Sequence, residues 1–146
     1  MHRHDTKGAN VLACEHAEAL ALARRLQRSD PASAADDRRA LLLFWYGSGA
    51  SRLLTEENVL LAAWRRHGGE DHPLPAAITA ERRRLAHEVE DIAADASSPA
   101  GRLRRVGHGL AALVLRQDSE LRSVVELTVP AEELLEVGAT LRTLRH

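Results

Sequence analysis

The chain has 146 residues, of which 45% are hydrophobic and 28% are charged, and its formal net charge is −1. This balance is typical of one soluble globular domain, and the lack of a basic excess argues against nucleic acid or an acidic membrane surface as a partner. Cys14 is the only cysteine, so the chain has no internal disulfide and fits a reducing compartment. We therefore expect a cytoplasmic protein. Its core should be aliphatic, because only 3% of the residues are aromatic.

The N-terminal part of the chain predicts a leader followed by a helix. Residues 1–9 are polar, and we expect them to be a flexible leader, so that residues 10–146 form the folded domain. No run in the chain approaches the ~20 apolar residues of a membrane span. Apolar residues at helical spacing predict the first helix over about residues 11–27, and its inner face includes His16. Pro31 marks the break after this helix.

A long second helix is predicted over roughly residues 36–66. Gly47 and Gly49 in its middle indicate either a kink or the close approach of a neighbouring helix. Residues at heptad-like spacing form one face of this helix: Trp45, Gly49, Arg52, Glu56, Val59 and Ala63. We therefore expect Arg52 and Glu56 to be an inward-facing i, i+4 pair.

Residues 78–96 predict a third helix whose apolar stripe contains an arginine. The apolar members of the stripe recur at spacings of three, four and seven: Ile78, Leu85, Val89, Ile92 and Ala96. Arg82 lies only about 20° around the helix axis from Val89, so we expect its side chain to point inward. His87 lies on the opposite face.

The last third of the chain predicts two more helices. Ser98 and Pro99 begin a fourth helix that runs to about Leu127, with Gln117 on its inner face, and Pro130 begins a short fifth helix. The sequence has no strand pattern. It therefore predicts an all-α fold, an antiparallel up-and-down four-helix bundle followed by a short C-terminal helix.

Five polar residues near the middles of the predicted helices are expected to converge inside the bundle: His16, Arg52, Glu56, Arg82 and Gln117. The middles of antiparallel helices lie at similar depth, which would bring these side chains into one interior cluster. The simpler interpretation gives each a structural role. His16 is then a satisfied core histidine, Glu56 shares a solvated position with Glu57, and both arginines extend to solvent over buried stems.

The predicted helices also carry an ordered series of short motifs. Residues 12–16 read L-A-C-E-H, and residues 52–61 read R-L-L-T-E-E-N-V-L-L. Glu81 and Arg82 follow, and residues 106–118 read V-G-H-G-L-A-A-L-V-L-R-Q-D. Residues 125–134, V-E-L-T-V-P-A-E-E-L, close the series.

In order and spacing, these motifs resemble the hemerythrin-like (HHE cation-binding) domains over about residues 11–140. The resemblance implies a helical bundle with a non-haem di-iron site that serves oxygen binding or iron and redox sensing. Only His16 and Glu56 keep a ligand type at the matching positions. The other four positions are substituted: Arg52, Arg82, Leu113 and Gln117. Arginine stays protonated and repels a cation, and leucine offers no donor, so we expect the metal site to be lost.

The remaining ligand-type residues are interpreted as exposed or structural. They are a Gly-rich loop, a surface pair and the lone cysteine: His67, Glu70, Asp71 and His72; His87 and Asp91; and Cys14. Loops of this composition are usually solvated, and an i, i+4 pair on an outer face is most simply a surface contact. The carboxylate of Glu15 does not activate a neighbouring thiolate.

The expected function follows from the degenerate motif. We expect a non-catalytic binding or regulatory module with no cofactor, in which an interior Arg–Glu–His cluster takes the place of the metals. Its partner would be an unknown protein or a small anionic ligand, with no role for nucleic acid or a membrane, and the chain would be a monomer or homodimer. The alternative is a protein that still binds non-haem iron. No nucleophile–base pair indicates an enzyme.

Overall fold

The computed structural model describes residues 16–69, 71–97 and 99–144, and all regular secondary structure in these ranges is helical. The helices are, in chain order, α1 (Ala17–Gln27), α2 (Ala34–Phe44), α3 (Ala50–Arg65), α4 (Leu74–Ala94), α5 (Ala100–Leu115), α6 (Arg122–Thr128) and α7 (Ala131–Leu144). The all-α prediction is thus confirmed for the described residues. The predicted leader and residues 11–15 of the predicted first helix lie outside them.

The breaks between helices fall where the sequence places its prolines and glycines. Pro31 lies in the turn before α2, Pro99 directly precedes α5, and Pro130 directly precedes α7. Gly68 follows α3 with a φ of 92°, a left-handed conformation that only glycine adopts without strain. Local backbone chemistry therefore fixes the ends of the helices.

Two of the predicted helices contain a π-helical segment that the sequence did not predict. Trp45–Gly49 joins α2 to α3, and Arg116–Leu121 joins α5 to α6. In the first segment, a Cβ on Gly49 would lie 2.6 Å from the carbonyl oxygen of Phe44, so glycine is needed for this turn. The irregularity expected from the glycines is thus a widened helical turn, a feature that is frequent at functional sites.

The helices share one hydrophobic core of leucine, isoleucine, valine and alanine, with Trp45 and Trp64 among its buried members. Polar side chains connect the helices around this core. Arg25 of α1 donates to Asp37 of α2 at 2.8 Å, and Arg38 of α2 donates to two backbone carbonyls at the end of α4. None of the described helices is long and apolar enough to cross a membrane.

A close contact between two helix backbones at a glycine joins α1 to α5. Gly107 is buried in α5, and a Cβ at this position would lie 2.8 Å from the backbone of Ala23 and Gln27. The side-chain amide of Gln27 also donates to the carbonyl oxygen of Gly107 at 3.3 Å. The glycine therefore allows two helix backbones to touch.

We expect Gly107→Ala to lower the free energy of unfolding by about 1–2 kcal/mol, because the added methyl group meets backbone atoms that cannot move aside. Denaturant unfolding followed by circular dichroism measures this change. Gly109→Ala is the matched control in the same helix, since its Cβ would meet only the flexible end of Leu85, at 3.4 Å. The control should gain up to about 1 kcal/mol from helix propensity. Equal effects of the two variants would contradict a backbone contact at Gly107.

Candidate functional site: the interior polar cluster

Three of the five residues of the predicted cluster are buried, as is the neighbouring Glu57: His16, Glu56, Glu57 and Gln117. His16 directly precedes α1, the two glutamates belong to α3, and Gln117 belongs to the second π segment. Each is at most 4% exposed. Burying polar groups to this degree is costly unless they are paired, so their partners decide what the site does.

Glu57 is the carboxylate that pairs with the inward arginine. The Nε of Arg82 donates to both carboxylate oxygens of Glu57, at 3.2 and 3.4 Å, and the side-chain amide of Gln117 donates to Oε1 at 3.3 Å. Arg82 is therefore directed inward as its position on the apolar stripe predicts. Glu57 was not predicted as a member of the cluster, although its place beside Glu56 in the sequence was the available signal.

Glu56 has no such partner, and the predicted ion pair between Glu56 and an interior arginine is wrong. Among the described residues, its Oε1 accepts no hydrogen bond. Arg52 instead extends toward α1, where it lies 3.6 Å from the carboxylate of Glu18 and donates to the hydroxyl of Ser48. Burial raises the pKa of Glu56 to about 7, against the opposing charge of Arg52. Glu56 is thus a buried carboxyl group that is largely protonated in mildly acidic solution.

His16 is the second unpaired member. Neither of its ring nitrogens makes a hydrogen bond within the described structure, and its Nδ1 lies 3.9 Å from Oδ1 of Asp118. Burial lowers the pKa of His16, and the nearby Arg122 adds to this effect, whereas Asp118 opposes it. The imidazole is therefore held in its neutral form, with one nitrogen that donates and one that accepts.

A ladder of charged residues extends from the cluster along α6. Arg122 lies 3.3 Å from Oδ1 of Asp118 and 3.7 Å from Glu126, each four residues away on the helix. Gln117 and Asp118 are consecutive residues of the second π segment. Gln117 contacts Glu57 and Asp118 contacts His16, so the segment links the two. Asp118, Arg122 and Glu126 were not predicted as site residues, although their i, i+4 spacing is visible in the sequence.

The residues present do not fit a di-iron centre. No group of three or more histidine, cysteine, aspartate or glutamate side chains in the described ranges is arranged to hold a metal ion. Leu113 is completely buried and apolar at a position where the resemblance implies a histidine. The guanidinium of Arg82 already occupies the carboxylate of Glu57. A positive charge at this place opposes cation binding.

The unpaired interior atoms are mainly hydrogen-bond acceptors. They include Oε1 of Glu56, Oε1 of Gln117 and one nitrogen of His16. Ordered water is the usual partner of such buried groups. A proton on Glu56 removes the negative charge of its carboxylate. The cluster can therefore bind a proton at Glu56 and accept hydrogen bonds from donors. Among its described residues, both arginines are already paired with carboxylates, so neither is free to bind an anion.

Three of the other ligand-type residues named from the sequence have structural contacts: His67, His72 and His87. His67 contacts Glu133 of α7 at 2.7 Å, and together with Arg66 its hydrogen bonds lower the pKa of that carboxylate. His72 accepts a hydrogen bond from the backbone of Leu74 and packs against Trp64. His87 is exposed on the outer face, 3.8 Å from Glu90, so its neighbour is not the predicted Asp91. Cys14 and Glu70 lie outside the described residues.

Comparison of the chain with protein-family models, with curated proteins and with solved structures found no match.

Proposed function

We propose that this chain is a non-catalytic binding or regulatory module of the cytoplasm, built on a hemerythrin-like up-and-down four-helix bundle that has lost its di-iron site. In this proposal the interior polar cluster takes the place of the metals. The module acts through a protein partner or a small ligand that its surface or interior recognises. The proposal rests on the motif resemblance together with the contacts described above.

The contacts between helices support the bundle arrangement. Glu18 and Arg25 of α1 pair with Arg52 and Asp37, so the later residue of the first helix meets the earlier residue of the second. The same reversal relates the second helix to α4, where Arg82 meets Glu57 and Arg38 meets the carbonyls of residues 92 and 93. Reversed order in successive pairs is the pattern of an up-and-down bundle.

A single observation carries the functional proposal: Arg82 and Glu57 are paired inside the fold, at 3.2 Å. A guanidinium group there neutralises a carboxylate that is 1% exposed, which in a metal-binding bundle is the task of the cation. Both arginines of the predicted cluster are engaged, Arg82 by Glu57 and Arg52 by Glu18. A small anion in the interior would have to displace one of these carboxylates, so a partner protein is better supported than an anionic ligand.

We expect purified protein from iron-supplemented cultures to contain well below one iron, zinc or manganese per chain, because four of the six family positions lack a ligand group. Elemental analysis by mass spectrometry measures the content. The matched variant restores the family residues: Arg52→His, Arg82→His, Leu113→His and Gln117→Glu. It should gain metal, since it replaces two cations and adds four donors. One iron per wild-type chain would overturn the proposal in favour of a metal-binding protein.

A further inference from the structure

The outer face of α2, including the π segment Trp45–Gly49 that continues it, exposes apolar side chains at the spacing of a helix–helix interface. Leu43 is 71% exposed and Tyr46 is 58% exposed, three residues apart on the helix surface. Gly47 lies beside them with open space around the position of a Cβ. Large side chains next to a small residue allow knobs-into-holes packing, in which two helices approach closely.

A groove lies on each side of this ridge. The first, of about 420 Å³, separates α2 from α1 and is lined mainly by apolar residues, with Glu18 and Arg25 among its polar ones. The second, of about 430 Å³, lies on the other side of Leu43 and reaches Tyr46 and Ala96. The groove beside a ridge can accept the ridge of a second copy, which is how two helix faces pack.

The charges along the ridge are also self-complementary. Glu18 lies at the end of the first groove that faces residue 52, and Arg25 lies at the end that faces residue 37. The side chain of Arg39 is 71% exposed, and its described ion pair is with the equally exposed Asp36 of the same helix. Arg39 lines the second groove, so a second α2 that crosses the first obliquely and in the opposite direction at Leu43 directs its Arg39 across the ridge toward the Glu18 end of the first groove. The basic residue of each copy then meets an acidic residue of the other.

We propose that the outer face of α2 is a two-fold interface, at which two copies of this chain pack their Leu43–Tyr46 ridges together in antiparallel orientation. A two-fold interface uses the same patch on both copies, so a patch that matches itself in shape and charge is what it needs. Leu43 lies on the symmetry axis. Glu18 of each copy pairs with Arg39 of the other, while Tyr46 enters the groove beside Ala96.

Light scattering on eluting protein tests this interface. The wild type should have twice the chain mass of 16.0 kDa. Leu43→Asp should be monomeric with unchanged circular dichroism, because this side chain is largely exposed in a single copy. Leu127→Asp is the control, since Leu127 is 85% exposed outside this face, and it should remain dimeric. A monomeric wild type at about 100 µM, or a dimer that survives Leu43→Asp, overturns the proposal.

Two further experiments, a charge exchange and disulfide crosslinking, test the orientation. Arg39→Glu should weaken the dimer at least tenfold, and adding Glu18→Arg to it should restore most of the lost affinity. Leu43→Cys in a Cys14→Ser background leaves one cysteine per chain, which should form a disulfide-linked dimer on mild oxidation. Tyr46→Cys in the same background lies off the axis and should crosslink more slowly. Equal crosslinking at both positions, or no rescue by the charge exchange, contradicts the antiparallel arrangement.

Discussion

Replacing Arg82 with methionine is expected to lower the free energy of unfolding by about 3–5 kcal/mol, which is typical for the removal of one partner from a buried ion pair. Arg82→Met keeps most of the apolar stem but leaves the carboxylate of Glu57, which is 1% exposed, without its cation. The amide of Gln117 would remain as a single donor to that carboxylate. The value should lie toward the lower end, because the side chain of Arg82 is itself 21% exposed.

Denaturant unfolding at pH 7 measures this effect, with Arg83→Met as the matched control. Arg83 is exposed on the same helix, and its replacement should change stability by less than about 0.5 kcal/mol. The double variant Arg82→Met with Glu57→Gln should recover part of the loss, because it no longer buries an unpaired charge. If Arg82→Met and Arg83→Met were equally stable, the pair would be a surface contact, and the proposed substitute for the metal would be absent.

The second large effect is a loss of stability with rising pH that depends on Glu56. The folded-state pKa of Glu56 is about 7, against an ordinary value of 4.5, so between these values the folded chain binds the proton that the unfolded chain has released. Stability contributed by the protonated carboxyl is thus present at low pH and lost as the pH rises through this window. Because one pKa unit corresponds to about 1.4 kcal/mol, the loss totals about 3 kcal/mol by pH 8.

Glu56→Gln isolates this effect, because glutamine resembles the protonated carboxyl and does not titrate. The difference in unfolding free energy between wild type and variant should shift by about 3 kcal/mol in favour of the variant from pH 4 to pH 8. The lowered pKa of His16 has the opposite effect, because it reduces stability as the pH falls below 6.5. This contribution is the same in wild type and variant, so it cancels in the comparison. A difference that does not vary with pH would mean that Glu56 is solvated in the folded state.

The corrected pairing changes which glutamate matters for stability. The sequence predicted that Glu56 is the carboxylate that pairs with an interior arginine. In the structure Glu57 has this role, and Oε1 of Glu56 is buried and accepts no hydrogen bond from the described residues. We therefore expect glutamine substitutions at the two neighbouring glutamates to change stability in opposite directions. Substituting glutamine stabilises the chain at position 56 above pH 7 and destabilises it at position 57.

Local sequence determined the helices and the direction of Arg82. Proline restricts φ and lacks a backbone donor, and glycine adopts a positive φ without strain, so the sequence indicates the breaks at Pro31, Gly68, Pro99 and Pro130. The spacing of the apolar stripe from Ile78 onward likewise fixes the face of α4 that packs inward. The burial of that face can be predicted from local periodicity, because it requires only that one side of the helix is apolar.

Only the tertiary structure decided which polar groups meet. Glu56 and Glu57 lie about 100° apart around one helix, and both are buried because neighbours pack on either side of α3. The sequence does not specify these neighbours. The π segment that carries Gln117 and Asp118 changes the helical phase, so a regular spacing of 3.6 residues cannot locate Asp118 beside His16. Pairing inside a bundle depends on the rotation and register of several helices together, and these are set by packing of the whole core.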